Sequence, residues 1–238
     1  MSIEKFGQFI GKTVGKLGFE HLKSKIENFD IKARGFENFD ELEGEAYLLV
    51  ANHIIPKDKK ALETGISPDA FILQKLVEDN TNRKIKIANK ADNGRLLDSE
   101  FSRNFQKNIG SPFMQGFLKG VGNIPVQKDP GSFNRNFLEI VDETIKNNEP
   151  ILMFPEGHWY QDFSTDHELE SGAAHIAKKY GIKIIPVYIT GADSWQGEQK
   201  VEVLFGESFS PGDLSKEGIS EKISERIGAL QKELKGEK

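Results

Sequence analysis

The sequence contains no cysteine, which removes disulfides, thiolate metal ligation and a cysteine nucleophile from consideration and suits a reducing compartment. It has no apolar run near the roughly 20 residues that a helix needs to cross a bilayer, and its N-terminus lacks the continuous apolar core of a signal peptide. Positive charge is not in surplus either. Lys and Arg number 32 against 37 Asp and Glu, a net charge of -5, and the lysines are mixed with acids throughout, so no basic surface marks a nucleic-acid partner. Internal repeats, low-complexity tracts and obvious linkers are also missing. What remains is a chain of 238 residues, 37% hydrophobic and 29% charged, a composition and length that fit one ordinary globular α/β domain.

Strand-like and helix-like segments alternate along this chain, the pattern of an α/β fold with a mixed central sheet flanked by helices. Residues 46–51, 84–88, 151–154 and 183–188 read as buried strands rich in Ile, Leu and Val, and residues 30–34 and 201–205 read as edge strands. Asp69 opens an apolar helix as an acid suited to a helix N-terminus. Residues 133–146 repeat apolar side chains at helical spacing, residues 170–180 end at Gly181 as a C-cap, and a last helix runs from about Ile219 to Leu234.

At the N-terminus, residues 4–17 would form an amphipathic helix with Phe6, Phe9, Ile10, Val14 and Leu17 on one face and Lys5, Lys12 and Lys16 along its flank. Gly7, Gly11 and Gly15 fall on another face at four-residue spacing, each lowering helix propensity by about 1 kcal/mol, so the helix needs a partner. Two partners fit the stripe equally: the helix's own domain, or a membrane surface.

Chemistry concentrates where two strands end. Asn52-His53 closes the run Ala46-Tyr-Leu-Leu-Val-Ala, and Phe154-Pro155-Glu156-Gly157 closes Ile151-Leu-Met about a hundred residues later. In an open α/β sheet, ligands bind outside the carboxyl ends of the strands, where these two loops can converge. A neutral imidazole there can take a proton from a hydroxyl near pH 7, provided a carboxylate on its other nitrogen fixes the tautomer. Two carboxylates are available. Asp58 lies in the lysine-rich stretch Lys57-Asp-Lys-Lys, which reads as a solvated loop, whereas Asp69 begins a helix that can hold it rigidly, so position favours Asp69.

These residues resemble the glycerolipid acyltransferase family typified by 1-acylglycerol-3-phosphate acyltransferase. The family's first motif, Asn-His, four residues and Asp, is met in strict spacing by Asn52-His53 and Asp58, while Ser67-Pro68-Asp69 followed by Ala-Phe-Ile-Leu looks like the family's Asp and helix displaced by an insertion. Gly35-Phe-Glu37-Asn38 resembles the lead-in. Gly122-Asn-Ile-Pro-Val-Gln-Lys128 resembles the second motif with Lys128 in place of Arg, Phe154-Pro-Glu-Gly157 is the third, and Ser171-Gly-Ala-Ala174 with Ile184-Ile-Pro186-Val187 resembles the helix and fourth motif. The likeness spans about residues 30–210. It divides the chain into an N-terminal amphipathic segment (1–29), an acyltransferase domain (30–212) and a C-terminal helix (213–238).

The resemblance implies direct transfer of a fatty acyl group from a coenzyme A (CoA) or acyl-carrier-protein thioester to a hydroxyl of a lipid or lysolipid precursor. His53 would be the general base, oriented by Asp69 or Asp58, with no acyl-enzyme, no cofactor beyond the acyl donor and no metal. The absence of both Cys and a Gly-x-Ser-x-Gly elbow agrees. Lys128, Glu156, Gly157, His158 and Trp159 are the substrate-binding candidates, and a cytoplasmic location peripheral to the inner face of a membrane follows.

The third motif departs from the family, which commonly continues with Thr or Ser and then Arg, where this chain has His158-Trp159-Tyr160. Arg's bidentate phosphate fork is absent. Trp159 and Tyr160 would instead line a pocket for another alcohol, amine or lipid head, or simply pack. His158 and His167, with Asp162 and Asp166 between them, match no standard zinc spacing and read as a solvated loop. A thioester or lysophospholipid hydrolase, or a non-catalytic lipid-binding protein, are the alternatives on the same scaffold.

Overall fold

A computed structural model describes residues 3–64, 67–90, 116, 120, 122–126, 128–129, 132–133 and 135–236. Its centre is a seven-stranded mixed sheet. In chain order the strands are β1 (Asp30–Arg34), β2 (Tyr47–Ala51), β3 (Lys86–Lys90), β4 (Ile124–Val126), β7 (Ile151–Met153), β8 (Lys183–Thr190) and β9 (Lys200–Phe205), while β5 (Lys128–Asp129) and β6 (Ser132–Phe133) form a separate antiparallel hairpin. The spatial order is β1-β9-β8-β2-β7-β3-β4, with every pair parallel except β8 and β9.

β2 lies in the middle and all five of its residues are buried. Because side chains alternate across a strand, Tyr47, Leu49 and Ala51 enter one core and Leu48 and Val50 the other. A strand covered on both faces needs apolar residues at every position, which is why Tyr-Leu-Leu-Val-Ala reads as a continuous run. The first core is closed by helix α3 (Pro68–Thr81) through Phe71, Ile72 and Val77, and by Ile26 at the end of α1 (Ile3–Ile26). The second is closed by α4 (Arg135–Lys146), α5 (Gly172–Tyr180) and α6 (Lys216–Lys235), the last through Ile219, Ile223, Ile227 and Leu230. Ser215 caps α6 by accepting the Gly218 N–H at 3.1 Å, and Gly181 ends α5 with φ 65°.

Three expectations need correction. β9 is not an edge strand, since β1 pairs with one side of it and β8 with the other. Its alternation of exposed Lys200 and Glu202 with buried Val201 and Val203 reports one solvent-facing surface, not an unpaired hydrogen-bonding edge. The stretch around Asp58 is not a solvated loop: a short helix, α2 (Lys59–Thr64), follows it, and Asp58 is half-buried, accepting hydrogen bonds from Ser194 Oγ at 3.0 Å and from the Trp195 N–H. Phe133 belongs to β6, so the fourth helix begins two residues later, at Arg135.

α1 runs nine residues beyond the predicted helix and packs closely at Gly11, Gln8 and Lys12. Gly11 is buried, and a Cβ built on Gly116 or Gly120 would lie 2.1 Å from the Gln8 carbonyl oxygen or 2.3 Å from that of Lys12. Only glycine permits backbones to approach this closely. The apolar stripe is not what docks: Phe6, Phe9 and Leu17 are 52%, 61% and 73% exposed.

Candidate active site

β2 and β7 are adjacent and parallel, Leu48, Leu49 and Val50 lying level with Ile151, Leu152 and Met153. The loops that follow them therefore leave the sheet side by side, at its carboxyl edge. Asn52 anchors the first loop: its side chain donates to the Ile189 carbonyl at 3.0 Å and accepts from the Ile189 N–H at 2.8 Å, tying the end of β2 to β8. One residue on, His53 turns its ring between Asp69 on one side and the loop after β7 on the other.

His53 Nδ1 lies 2.8 Å from Asp69 Oδ2. Asp69 is fully buried in the first turn of α3. Its Oδ2 also accepts the Ile54 N–H at 2.8 Å, and its Oδ1 accepts the Ala70 N–H at 2.7 Å and the Ser67 hydroxyl. Both oxygens of this carboxylate are thus engaged, which fixes its position at the start of α3. A carboxylate so held accepts the Nδ1 proton, which leaves Nε2 as the bare, basic nitrogen. Asp69 follows His53 by sixteen positions, with α2 in the stretch between them. Asp58, at strict motif spacing, is engaged with the 194–195 turn and does not meet His53.

The second loop supplies the surroundings of the ring. Phe154 stacks under the imidazole, centroids 4.0 Å apart and planes 20° from parallel. Glu156 is buried; its Oε2 accepts the His53 backbone N–H at 2.8 Å and its Oε1 pairs with His167 Nδ1 at 2.7 Å. Burial pushes the Glu156 carboxyl above its ordinary value, against the opposing pull of these two partners. Gly157 has φ 64°, and a Cβ there would meet Glu170 Cγ at 2.7 Å, so the turn favours glycine. Tyr160 completes the stitching: its N–H donates to the His53 carbonyl at 3.0 Å and its carbonyl accepts the Ile55 N–H at 2.8 Å, while its ring stacks on His167 at 3.7 Å. Trp159 reaches the ring itself, its indole Nε1–H donating to His53 Nε2 at 2.5 Å.

Of the sequence-derived candidates, His53, Asp69, Glu156, Gly157 and Trp159 come together. His158 is exposed, and Asp58 stands apart. Lys128 is in β5, but its side chain lies outside the described residues, as does Gln127 of the same motif. His167 does not belong to a solvated loop but to the Glu156 pair, and Asp162 is bound by Tyr188, Gln231 and Lys235. Among the described residues no group of three His, Asp or Glu is placed to hold a metal. Sequence reasoning missed Ser67 and His167 as partners of the two key carboxylates. Ser67 was detectable as the polar residue before Pro68 at a helix start; nothing in the polar stretch around His167 announces its contact.

Comparison with known proteins agrees with this architecture. The model of the Acyltransferase family matches residues 95–190, a segment that includes Lys128, Phe154–Gly157 and Ile184–Val187 and leaves out His53, Asp58 and Asp69. The fold is similar to the crystal structure of the 1-acyl-sn-glycerophosphate (LPA) acyltransferase PlsC from Thermotoga maritima, with a TM-score of 0.52 and 20% identity over 98% of this chain and 82% of that one. No curated protein matches the chain in sequence. Family model and fold together support the resemblance to the glycerolipid acyltransferases that the motifs carry.

Proposed function

We propose that this protein transfers a fatty acyl group from a CoA or acyl-carrier-protein thioester to a hydroxyl of a lipid precursor, with His53 as general base and Asp69 as the residue that orients it. The observation that carries this reading is the His53–Asp69 pair: a ring whose Nδ1 is held at 2.8 Å by a fully buried carboxylate and whose Nε2 is turned to the neighbouring strand-end loop. In the reaction, the acceptor hydroxyl gives its proton to Nε2 as its oxygen attacks the thioester carbonyl carbon. The C–S bond then breaks, and the departing thiolate takes up the proton. Asp69 stabilises the imidazolium formed in between, the role of the carboxylate in a His-based triad. No protein nucleophile enters, consistent with a chain that has no cysteine.

Glu156 acts in this scheme as the tie between the two loops, since both its oxygens are engaged, and Gly157 lets the chain turn towards the acceptor side. A peripheral membrane position supplies the lipid substrate. No helix among the described residues is long and apolar enough to cross a membrane, but α1 turns Phe6, Phe9, Val14 and Leu17 outwards, with Lys5 and Lys12 exposed beside them. Burying one such apolar side chain is worth roughly 1.5–3 kcal/mol, enough for a docked helix to hold the domain at an interface.

Free thiol release from palmitoyl-CoA and from palmitoyl-acyl-carrier protein, followed with a panel of hydroxyl acceptors and with products identified by mass, tests the proposal. An ester product that requires an added acceptor supports transfer. Fatty acid alone, formed at the same rate with or without acceptor, would assign the site to a hydrolase instead.

A further inference from the structure

The base nitrogen of His53 is already occupied. Trp159 Nε1–H donates to His53 Nε2 at 2.5 Å, with the indole and imidazole centroids 5.6 Å apart and the planes at 60°. An indole N–H can only donate, so this bond requires the neutral tautomer with its lone pair on Nε2, the same lone pair that would receive the proton of an attacking hydroxyl. The acceptor hydroxyl and the indole therefore compete for one position. Trp159 also stands where the related motif commonly has an Arg, two residues after Gly157.

The loop that carries Trp159 is tied on both sides of it, by Glu156 to His53 and by the Tyr160 backbone to His53 and Ile55. The described contacts of Trp159 itself are those with the imidazole. A side-chain rotation can thus free the base without undoing the loop.

We infer that Trp159 is a gate on the base: it covers His53 Nε2 until an acceptor displaces it, and so denies water access to an acyl thioester bound without acceptor. This inference rests on the acyl-transfer reading, as do the hydrolysis rates that test it, whereas the hydrogen-bond coupling measured below does not. Without the gate, His53 would activate water: the water oxygen bonds to the thioester carbonyl carbon, the C–S bond breaks, and the water proton passes through Nε2 to the leaving thiolate, giving a fatty acid and a free thiol. A small hydroxyl needs no room beyond what the indole vacates, so exclusion has to come from a group that holds the nitrogen itself.

The experiment uses the full chain and palmitoyl-CoA without acceptor. Trp159→Phe keeps a ring but loses the donor, and hydrolysis should rise several-fold, up to about tenfold, the span one net neutral hydrogen bond can supply. Trp159→Ala should rise further, and adding His53→Ala to it should abolish the gain. A lesion that merely loosened the fold would lower the rate instead. In ¹⁵N-labelled wild type, the indole signal that Trp159→Phe removes should show scalar coupling across the hydrogen bond to a His53 ring nitrogen. Absence of that coupling, hydrolysis no faster in either folded Trp159 variant, or a gain that survives His53→Ala would each overturn the gate. Faster hydrolysis by the variants, together with no ester product from wild type and any acceptor, would keep the gate and discard acyl transfer.

Discussion

The loop after β2 is gathered by one buried carboxylate that binds His53, Ser67 and two backbone N–H groups, whereas the loop after β7 is held through Glu156 and the Tyr160 backbone and leaves Trp159 between those ties. Both start at the carboxyl edge of neighbouring parallel strands. In the proposed mechanism the difference is one of purpose: a base must sit in one orientation to be productive, because misplacement by about 1 Å can cost two orders of magnitude, while a segment that meets substrate has to let it in. Rigidity is built where α3 begins, and freedom is left on a loop whose polar contacts hold its backbone.

The strongest way to break this comparison is to remove the base from the rigid loop. His53→Ala should lower acyl transfer by about two to four orders of magnitude, the range for losing a general base, while circular dichroism and thermal unfolding remain close to wild type. The two aspartates come next. Asp69→Asn replaces the acceptor that sets the His53 tautomer and should cost about two orders of magnitude or more. Asp58→Asn, at a carboxylate that accepts from Ser194 and Trp195, should change turnover by no more than about a few-fold and lower stability by about 1 kcal/mol. Rates and urea midpoints measured side by side would decide, and the reverse ranking would return the role to the residue at strict motif spacing.

A smaller effect is expected away from the site. Gly120→Ala places a methyl 2.3 Å from the Lys12 carbonyl, so α1 has to shift, at about 1–3 kcal/mol for an overpacked contact. Faster proteolysis between α1 and β1, with the His53 chemistry retained in a soluble assay, would show that docking and catalysis are separable.

The smallest effects concern pH. Burial holds the Glu156 carboxyl above its ordinary value of 4.5, so the native state keeps that proton more tightly than the unfolded chain. The resulting stabilisation is full below the unfolded value and is lost as the pH rises through the raised one. Asp162 on the same loop runs the other way. Its partial burial pushes the pKa up, but bonds from Lys235, Tyr188, the Phe163 N–H and Gln231 bring it below 3.8. Its contribution is present above that value and fades as the pH falls through the lowered one. Urea midpoints between about pH 3 and 7 should therefore lose their decline on the alkaline side in Glu156→Gln and their decline on the acid side in Asp162→Asn.

How much of this was legible depended on whether the signal was local. The central strands could be read because burial on both faces forces unbroken apolar runs, and Asp69 because Ser67-Pro68-Asp69 is a helix start in front of Ala-Phe-Ile-Leu. The strands of two or three residues around Lys128 and Ser132 are too short to set a period. The engagement of Asp58 depends on Ser194 and Trp195, more than 130 positions away, so a lysine-rich neighbourhood gave the wrong impression of solvent. The buried Glu156–His167 pair sits in a stretch of otherwise polar residues whose composition resembles any surface loop. The indole on His53 depends on a side-chain direction that no spacing rule conveys.

The central claim is that His53 and Asp69 act as one unit. It is tested most directly by measuring acyl transfer in His53→Ala, Asp69→Asn and the double variant under one set of conditions. Residues that share a single task are not additive, so the double variant should be no slower than His53→Ala alone. A double variant whose loss is the product of the two single losses would mean that the carboxylate and the imidazole serve separate ends, and would contradict the account.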